Sequence, residues 1–183
     1  MKILYATGKY SPLRHDDGSG TDYMLYHSLQ DQGVDLKYVG PFNEDAPFAE
    51  RAYRKLHRLF SNKRPAKYPM AMLREGARSL LEAEQEYQPD LIFSKNLAPL
   101  VYFRTKRPMV YMLDAAVSAF NRQWPTFSKF ENYRMFLWEK EVLKKANRVI
   151  TRSEWTEEVL VKEYGYPKEK IRIVCNSSSL PDE

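Results

Sequence analysis

Cysteine is all but missing from this chain. Cys175 stands alone, which excludes an intrachain disulfide and fits a reducing compartment. Long apolar runs are missing as well: no window approaches the roughly 18 apolar residues of a membrane span. The opening MKILYATGKYSP holds one lysine and a short apolar run broken by Gly8 and Pro12, too little for the core of a signal peptide. A soluble, cytoplasmic protein is therefore expected. Charge of one sign is in no large excess. The chain has 29 Lys and Arg against 24 Asp and Glu, a net +5, so a charged partner must be read from clustering rather than from the total. No segment repeats another. His27 and His57 have no Cys, His or carboxylate neighbours at ligand spacing, so no metal site is indicated. What the chain does hold is core material. Of its 183 residues, 43% are apolar and 14% aromatic, which suits one folded domain and argues against disorder.

Residues 3–7 form a brief apolar run of the kind that opens a buried parallel strand. A loop over 8–19 follows. A helix is then predicted to start at Gly20-Thr21, with Thr21 as its cap and Asp22 at its positive end. Met24, Leu25, Ser28 and Leu29 should face inward, and Gly33 should close it. Residues 34–40 read as the second strand. Three-to-four spacing predicts helices over 49–60 and 70–87, the latter through Leu73, Ala77, Leu80 and Leu81. Strands over 91–93 and 109–113 flank a short helix over 97–103, and 130–146 reads as a long amphipathic helix. A strand over 148–151, a helix over 154–164 and a strand over 171–174 complete the order; Ser153 caps that helix, and Gly165 and Pro167 end it. Strands alternating with helices imply an α/β fold, a Rossmann-like parallel sheet with helices on both faces. The domain is drawn over 1–176, and the polar stretch 177–183, with Pro181, reads as the start of a linker.

Open parallel sheets bind ligands at the carboxyl ends of their strands, and several polar residues fall there. Gly18-Ser19-Gly20-Thr21 sits at a helix N-terminus, where free N–H groups and the helix dipole favour an anion such as a diphosphate. Lys9, Arg14 and His15 add positive charge, partly offset by Asp16 and Asp17. A dinucleotide fingerprint is disfavoured, because Tyr23 occupies the third glycine position and the loop is too long. Asp114 follows the strand 109–113 and is the candidate active-site carboxylate. A carboxylate there is suited to accept a hydrogen bond from a ligand hydroxyl rather than to act as general base, against a plain turn or N-cap reading. Lys95 and Asn96 end another strand on the same side, with Lys95 suited to a phosphate or an acidic acceptor group. Arg152 and Glu154 follow the strand 148–151 on that edge, while Ser153 is read as a helix cap.

Residues 51–67, RAYRKLHRLFSNKRPAK, hold seven Lys or Arg and no acid. Ala52, Leu56, Leu59 and Phe60 should lie on one side of the helix. Two readings stand for the segment: an ordinary surface helix with its apolar side on the core, or a basic amphipathic helix resting on an anionic membrane. Arg51, Arg54, Lys55, Arg58, Lys63 and Arg64 are the docking candidates in the second. No nucleic-acid motif accompanies them. The run 133–138, YRMFLW, reads as core and cleft wall.

Three segments carry a family likeness: MKILYATGKYSP with Gly18-Ser19-Gly20 after it, ANRVITRSEWTEEVL, and YGYPKEKIRIVCN. In order and spacing they resemble the N-terminal half of retaining GT-B glycosyltransferases of family 4. The likeness departs at Asn176-Ser177, where the family usually has Asn-Gly, and at Asp114-Ala115-Ala116, where it usually has a His. The resemblance implies two Rossmann-like domains facing across a cleft. The acceptor would be held mainly by the first and the nucleotide-sugar mainly by the second, a C-terminal domain missing from this sequence. No cofactor and no protein nucleophile are implied, since the leaving diphosphate can itself take the acceptor proton. The fragment alone is expected to be inactive, and its acceptor to be a sugar, a lipid-linked group or another hydroxyl. The rival reading is a non-catalytic Rossmann-like module that docks on an anionic membrane or a polyanion through 51–67.

Overall fold

The computed structural model describes residues 1–17, 20–42, 48–65 and 68–175. Six strands form one sheet: β1 Lys2–Ala6, β2 Asp35–Val39, β3 Leu91–Ser94, β4 Met109–Leu113, β5 Arg148–Thr151 and β6 Ile171–Ile173. Their order is β2-β1-β3-β4-β5-β6 and every neighbouring pair is parallel. Among the described residues six α-helices connect and cover them: α1 Thr21–Asp31, α2 Phe48–Phe60, α3 Met70–Tyr87, α4 Val117–Gln123, α5 Lys129–Lys145 and α6 Glu154–Tyr164.

Right-handed crossovers dictate the layering. The step from β1 to β2 runs one way along the sheet, and every later step runs the other, so α1 falls on one face and α3, α5 and α6 on the opposite one. Alternation within the strands agrees. Ile3 and Tyr5 of β1 pack with Tyr26 of α1, Phe93 and Met112. Leu4 and Ala6 belong to the larger core with residues of α3, α5 and α6. On the smaller side the Tyr5 ring stacks on Phe93 with centroids 5.2 Å apart and meets Tyr26 edge-on at 5.3 Å.

Several predicted details change. Gly20, with φ 71°, takes the N-cap position of α1 and supplies no side-chain cap, so Thr21 becomes the first helical residue; the left-handed backbone there suits glycine. Tyr26 is the buried residue of α1, whereas Met24 and Ser28 are exposed. The helix expected over 97–103 contracts to a 3-10 turn, Ala98–Leu100, and α4 was not foreseen. In α3 the inward row is Met72, Leu73, Gly76, Leu80 and Ala83, and Leu81 faces out. Ser153 does cap α6, accepting the Thr156 N–H at 3.2 Å, and Gly165 closes it at φ 66°. Of the two readings left open for α2, the one with its apolar side on the core fails: Leu56, Leu59 and Phe60 point into solvent, and Glu50, Arg54 and His57 turn toward the protein.

Candidate functional site

The chain leaves β1 toward β2 and returns on the other side of β1 as β3, so the switch point of this sheet lies between the carboxyl ends of β1 and β3. An open cleft of ≈ 1120 Å³ begins there and extends past β4, walled by α2, the segment after it, α4 and α5. Its floor at the switch point is tightly built. Gly8 follows β1 and lies against Asn96, which follows β3. A Cβ on Gly8 would sit 2.6 Å from the Asn96 Cγ and Oδ1, so any larger residue would push the Asn96 amide aside. Ser94 Oγ accepts the Asn96 N–H at 3.1 Å and lies 3.0 Å from the Ala6 carbonyl, which fixes the turn. The Asn96 Oδ1 so placed is buried and has no hydrogen-bond partner among the described residues, where a buried amide oxygen ordinarily accepts one.

Lys95 does not stand free. Its Nζ lies 3.4 Å from Asp22 Oδ1, and both side chains are mostly buried. Lys95, expected to meet a phosphate or an acidic group, thus lies on the cleft with an acid already beside it, and Asp22, which sequence reasoning saw only as a helix-start acid, joins it. Asp114 is likewise paired. Its Oδ1 forms an ion pair with Arg152, 2.9 Å from the Nε, with Asp114 62% exposed and Arg152 mostly buried. The Thr156 hydroxyl donates to the Asp114 carbonyl at 3.0 Å. Ala116, not Asp114, occupies the N-cap of α4, so the capping alternative fails. Asp114 remains accessible on the cleft, with Arg152 as its ion-pair partner.

Glu139 of α5 was not anticipated. It is fully buried in the cleft wall and accepts hydrogen bonds from the Tyr164 hydroxyl at 2.5 Å, the Val117 N–H at 2.8 Å and the Tyr111 hydroxyl at 3.4 Å. Burial pushes its pKa up to about 7, against the pull of those bonds. Burial also raises both phenols, with Glu139 adding to the shift. Glu139 thereby holds the start of α4 against α5 and α6, and with it the turn that carries Asp114.

The basic segment is divided between cleft and exterior. Arg54, Lys63 and Arg64, named among the docking candidates, line the cleft. Arg54 Nη2 lies 3.6 Å from Glu50 Oε1, buried and without a hydrogen bond among the described residues. Lys63 Nζ donates to the Pro125 carbonyl at 2.6 Å, and the Arg64 N–H donates to the Thr126 carbonyl at 2.9 Å. Arg51 and Lys55 are exposed on the outside. Arg58 is described only as part of the backbone of α2, and Gly18 and Ser19 lie outside the described residues.

Among the predicted site residues, Lys95, Asn96 and Asp114 meet along the cleft, joined by Asp22 from the first turn of α1. Lys9 is exposed with its Nζ 5.8 Å from the Tyr10 ring centroid, and Glu154 is exposed at the start of α6; neither lines the cleft. Among the described residues no group of three or more His, Cys, Asp or Glu could hold a metal ion, and no helix is long and apolar enough to cross a membrane.

Residues 23–177 match the family described as Glycosyltransferase Family 4. No curated protein matches the chain. Among solved structures, the UDP-GlcNAc 2-epimerase from Methanocaldococcus jannaschii is similar at 15% identity and TM-score 0.54, over 95% of this chain and 45% of that one. The same archaeal protein in complex with UDP-GlcNAc and UDP gives 15% and 0.55, over 95% and 46%. The chain thus spans about half the length of the solved structures it matches, and at these identities the likeness is one of fold.

Proposed function

The chain belongs to Glycosyltransferase Family 4, and from that premise we propose that it forms the acceptor-side wall of a cleft in which a sugar passes from a nucleotide-sugar to an acceptor hydroxyl with retention of configuration. A second domain supplies the opposite wall and most of the nucleotide contacts. The bond from the anomeric carbon to the diphosphate breaks, and its electron pair leaves on the diphosphate. The bond to the acceptor oxygen forms, and the acceptor proton passes to the departing diphosphate.

The residues of this chain have roles suited to that division. Asn96 Oδ1, buried and unpartnered in the cleft floor, accepts a donor hydrogen bond from the acceptor. Asp114, oriented by Arg152, accepts a second one from a sugar hydroxyl. Arg54 offers a cation to an acidic group. The positive end of the α1 dipole lies beside the cleft, and Lys95 balances the charge of Asp22 there. A phosphate can thus approach the helix end and be stabilised as charge develops on it. The observation that carries the proposal is the pairing of an unsatisfied acceptor at Asn96 with an accessible carboxylate at Asp114 in one cleft over the switch point.

The test is nucleotide release and sugar transfer from UDP-, GDP- and ADP-sugars. The 183-residue chain alone should give neither above background; robust turnover by it would overturn the division of labour. In a transferase that contains this domain, Asn96→Ala and Asp114→Asn should each lower kcat/KM by about tenfold or more, the size of one to two lost hydrogen bonds, largely through the acceptor KM. An inverted product anomer would overturn retention.

A further inference from the structure

Helix α2 is amphipathic in the ordinary periodic sense but is mounted inside out. Phe48, Leu56, Leu59 and Phe60 are 78, 53, 73 and 84% exposed. At 3.6 residues per turn, Phe48, Ala52, Leu56 and Leu59 fall on one stripe with Phe60 beside it. Half a turn away, polar contacts tie the helix to the domain. Glu50 accepts the Met70 N–H at 3.1 Å, and His57 Nε2 lies 3.3 Å from Ser128 Oγ. Tyr53, at the edge of the stripe, donates to the buried Glu131 at 2.5 Å, and Arg134 pairs with that same carboxylate at 2.7 Å. Rolling the helix to hide its apolar stripe would break these contacts and bury Glu131 without them. The outward stripe is therefore a fixed surface, and large exposed apolar patches mark interaction sites.

We propose that α2 lies flat on an anionic bilayer, its apolar stripe among the acyl chains and Arg51 and Lys55 on the headgroups, so that the acceptor of the cleft is a hydroxyl carried on a lipid. Charge complementarity selects this occupant. Exposed Arg51 and Lys55 border the stripe, and the segment 51–67 contains no acid. Geometry agrees. Arg54, on the opposite side of the helix from the stripe, lines the cleft, so a domain closing over the cleft would not cover the stripe. One helix is then both the seat on the membrane and a wall of the site. At the N-terminal end of α5, beside Ser128 and Glu131, Phe130 and Tyr133 are also exposed. The acceptor class rests on the transferase reading above; the membrane contact does not.

Vesicle flotation of the chain tests the contact directly, with phosphatidylcholine vesicles compared with vesicles that also contain phosphatidylglycerol. Binding should require the anionic lipid and weaken with salt. The triple variant Leu56→Ser, Leu59→Ser and Phe60→Ser should bind at least about tenfold more weakly, from the apolar area lost. Its melting temperature should hold, because the stripe makes no core contact. Arg51→Glu with Lys55→Glu should weaken binding by more than about twentyfold, at roughly 1 kcal/mol per basic residue, and should flatten the salt dependence. Failure of the wild-type chain to float with anionic vesicles would overturn the proposal, and so would undiminished binding by the triple variant. Loss of a dimer in the triple variant, seen by light scattering without any vesicle binding, would overturn it in favour of a second copy of the chain. A transferase that keeps its rate on a water-soluble acceptor but loses it on a vesicle-borne one in the triple variant is the expected companion result. No transfer to either acceptor, with flotation intact, would count against the transferase reading alone.

Discussion

Glu139 is a carboxylate held where water does not reach it, and its protonation is coupled to folding. Its folded pKa of about 7 lies above the ordinary 4.5. The folded chain therefore binds a proton there more tightly than the unfolded chain does. The stability this contributes is fully present below pH 4.5 and is lost as pH rises through 7, an effect of about 3 kcal/mol across that window. Glu139→Gln copies the neutral form. Its amide oxygen can still accept from Val117 and Tyr164, and its nitrogen can donate to Tyr111. In a melting series from pH 4 to 8, the variant should lose the decline specific to the wild-type chain; identical profiles would contradict the burial argument. Helix caps such as Ser153 and Gly165 were legible in the sequence because their chemistry is local. Glu139 and Glu131 were not. A glutamate in an amphipathic helix looks solvent-facing until the distant phenols of Tyr53, Tyr111 and Tyr164 are known to meet it. Asn96 and Asp114 could be placed because each directly follows a recognisable strand; the pairing of Asp114 with Arg152 depends on strand adjacency that spacing alone does not state.

Among the elements, periodicity located helices well and oriented them unevenly. The bounds of α3, α6, β4 and β5 match the expectation, since each is bracketed by a turn or cap signal. For α1 the apolar count favoured Met24, yet the large Tyr26 ring wins the place against Tyr5. For α2 the 3.6-residue pattern was legible and its direction was left open between two readings, because amphipathicity names two faces without saying which meets the core. Packing of α3 makes a sharper case. Gly76 lies on its buried row, and a Cβ there would come 2.8 Å from the Pro99 Cα of the 3-10 turn. Gly76→Ala adds up to about 1 kcal/mol of helix propensity but forces backbone apart at a cost of about 1–3 kcal/mol. Chemical denaturation should show a net loss of stability on the order of 1 kcal/mol. A gain would mean that the turn yields freely.

At the scale of the molecule, strand order does the organising. A parallel sheet ordered β2-β1-β3-β4-β5-β6 has its switch point between β1 and β3, and the cleft opens there with Gly8, Asn96, Asp22 and Asp114 brought together from segments far apart in the chain. A second, shallower cavity beside Gln88, Arg104 and Arg107 lies away from those strand ends. Its polar groups are already engaged, Thr105 with Glu84 and Arg107 with Gln88. The decisive measurement is hydrogen–deuterium exchange across the chain with nucleotide-sugars and simple glycoside acceptors at millimolar concentration. Slowed exchange over residues 8–10, 95–97 and 114–117 is the result the account predicts. Slowing at 104–107 with none at those three segments would contradict it.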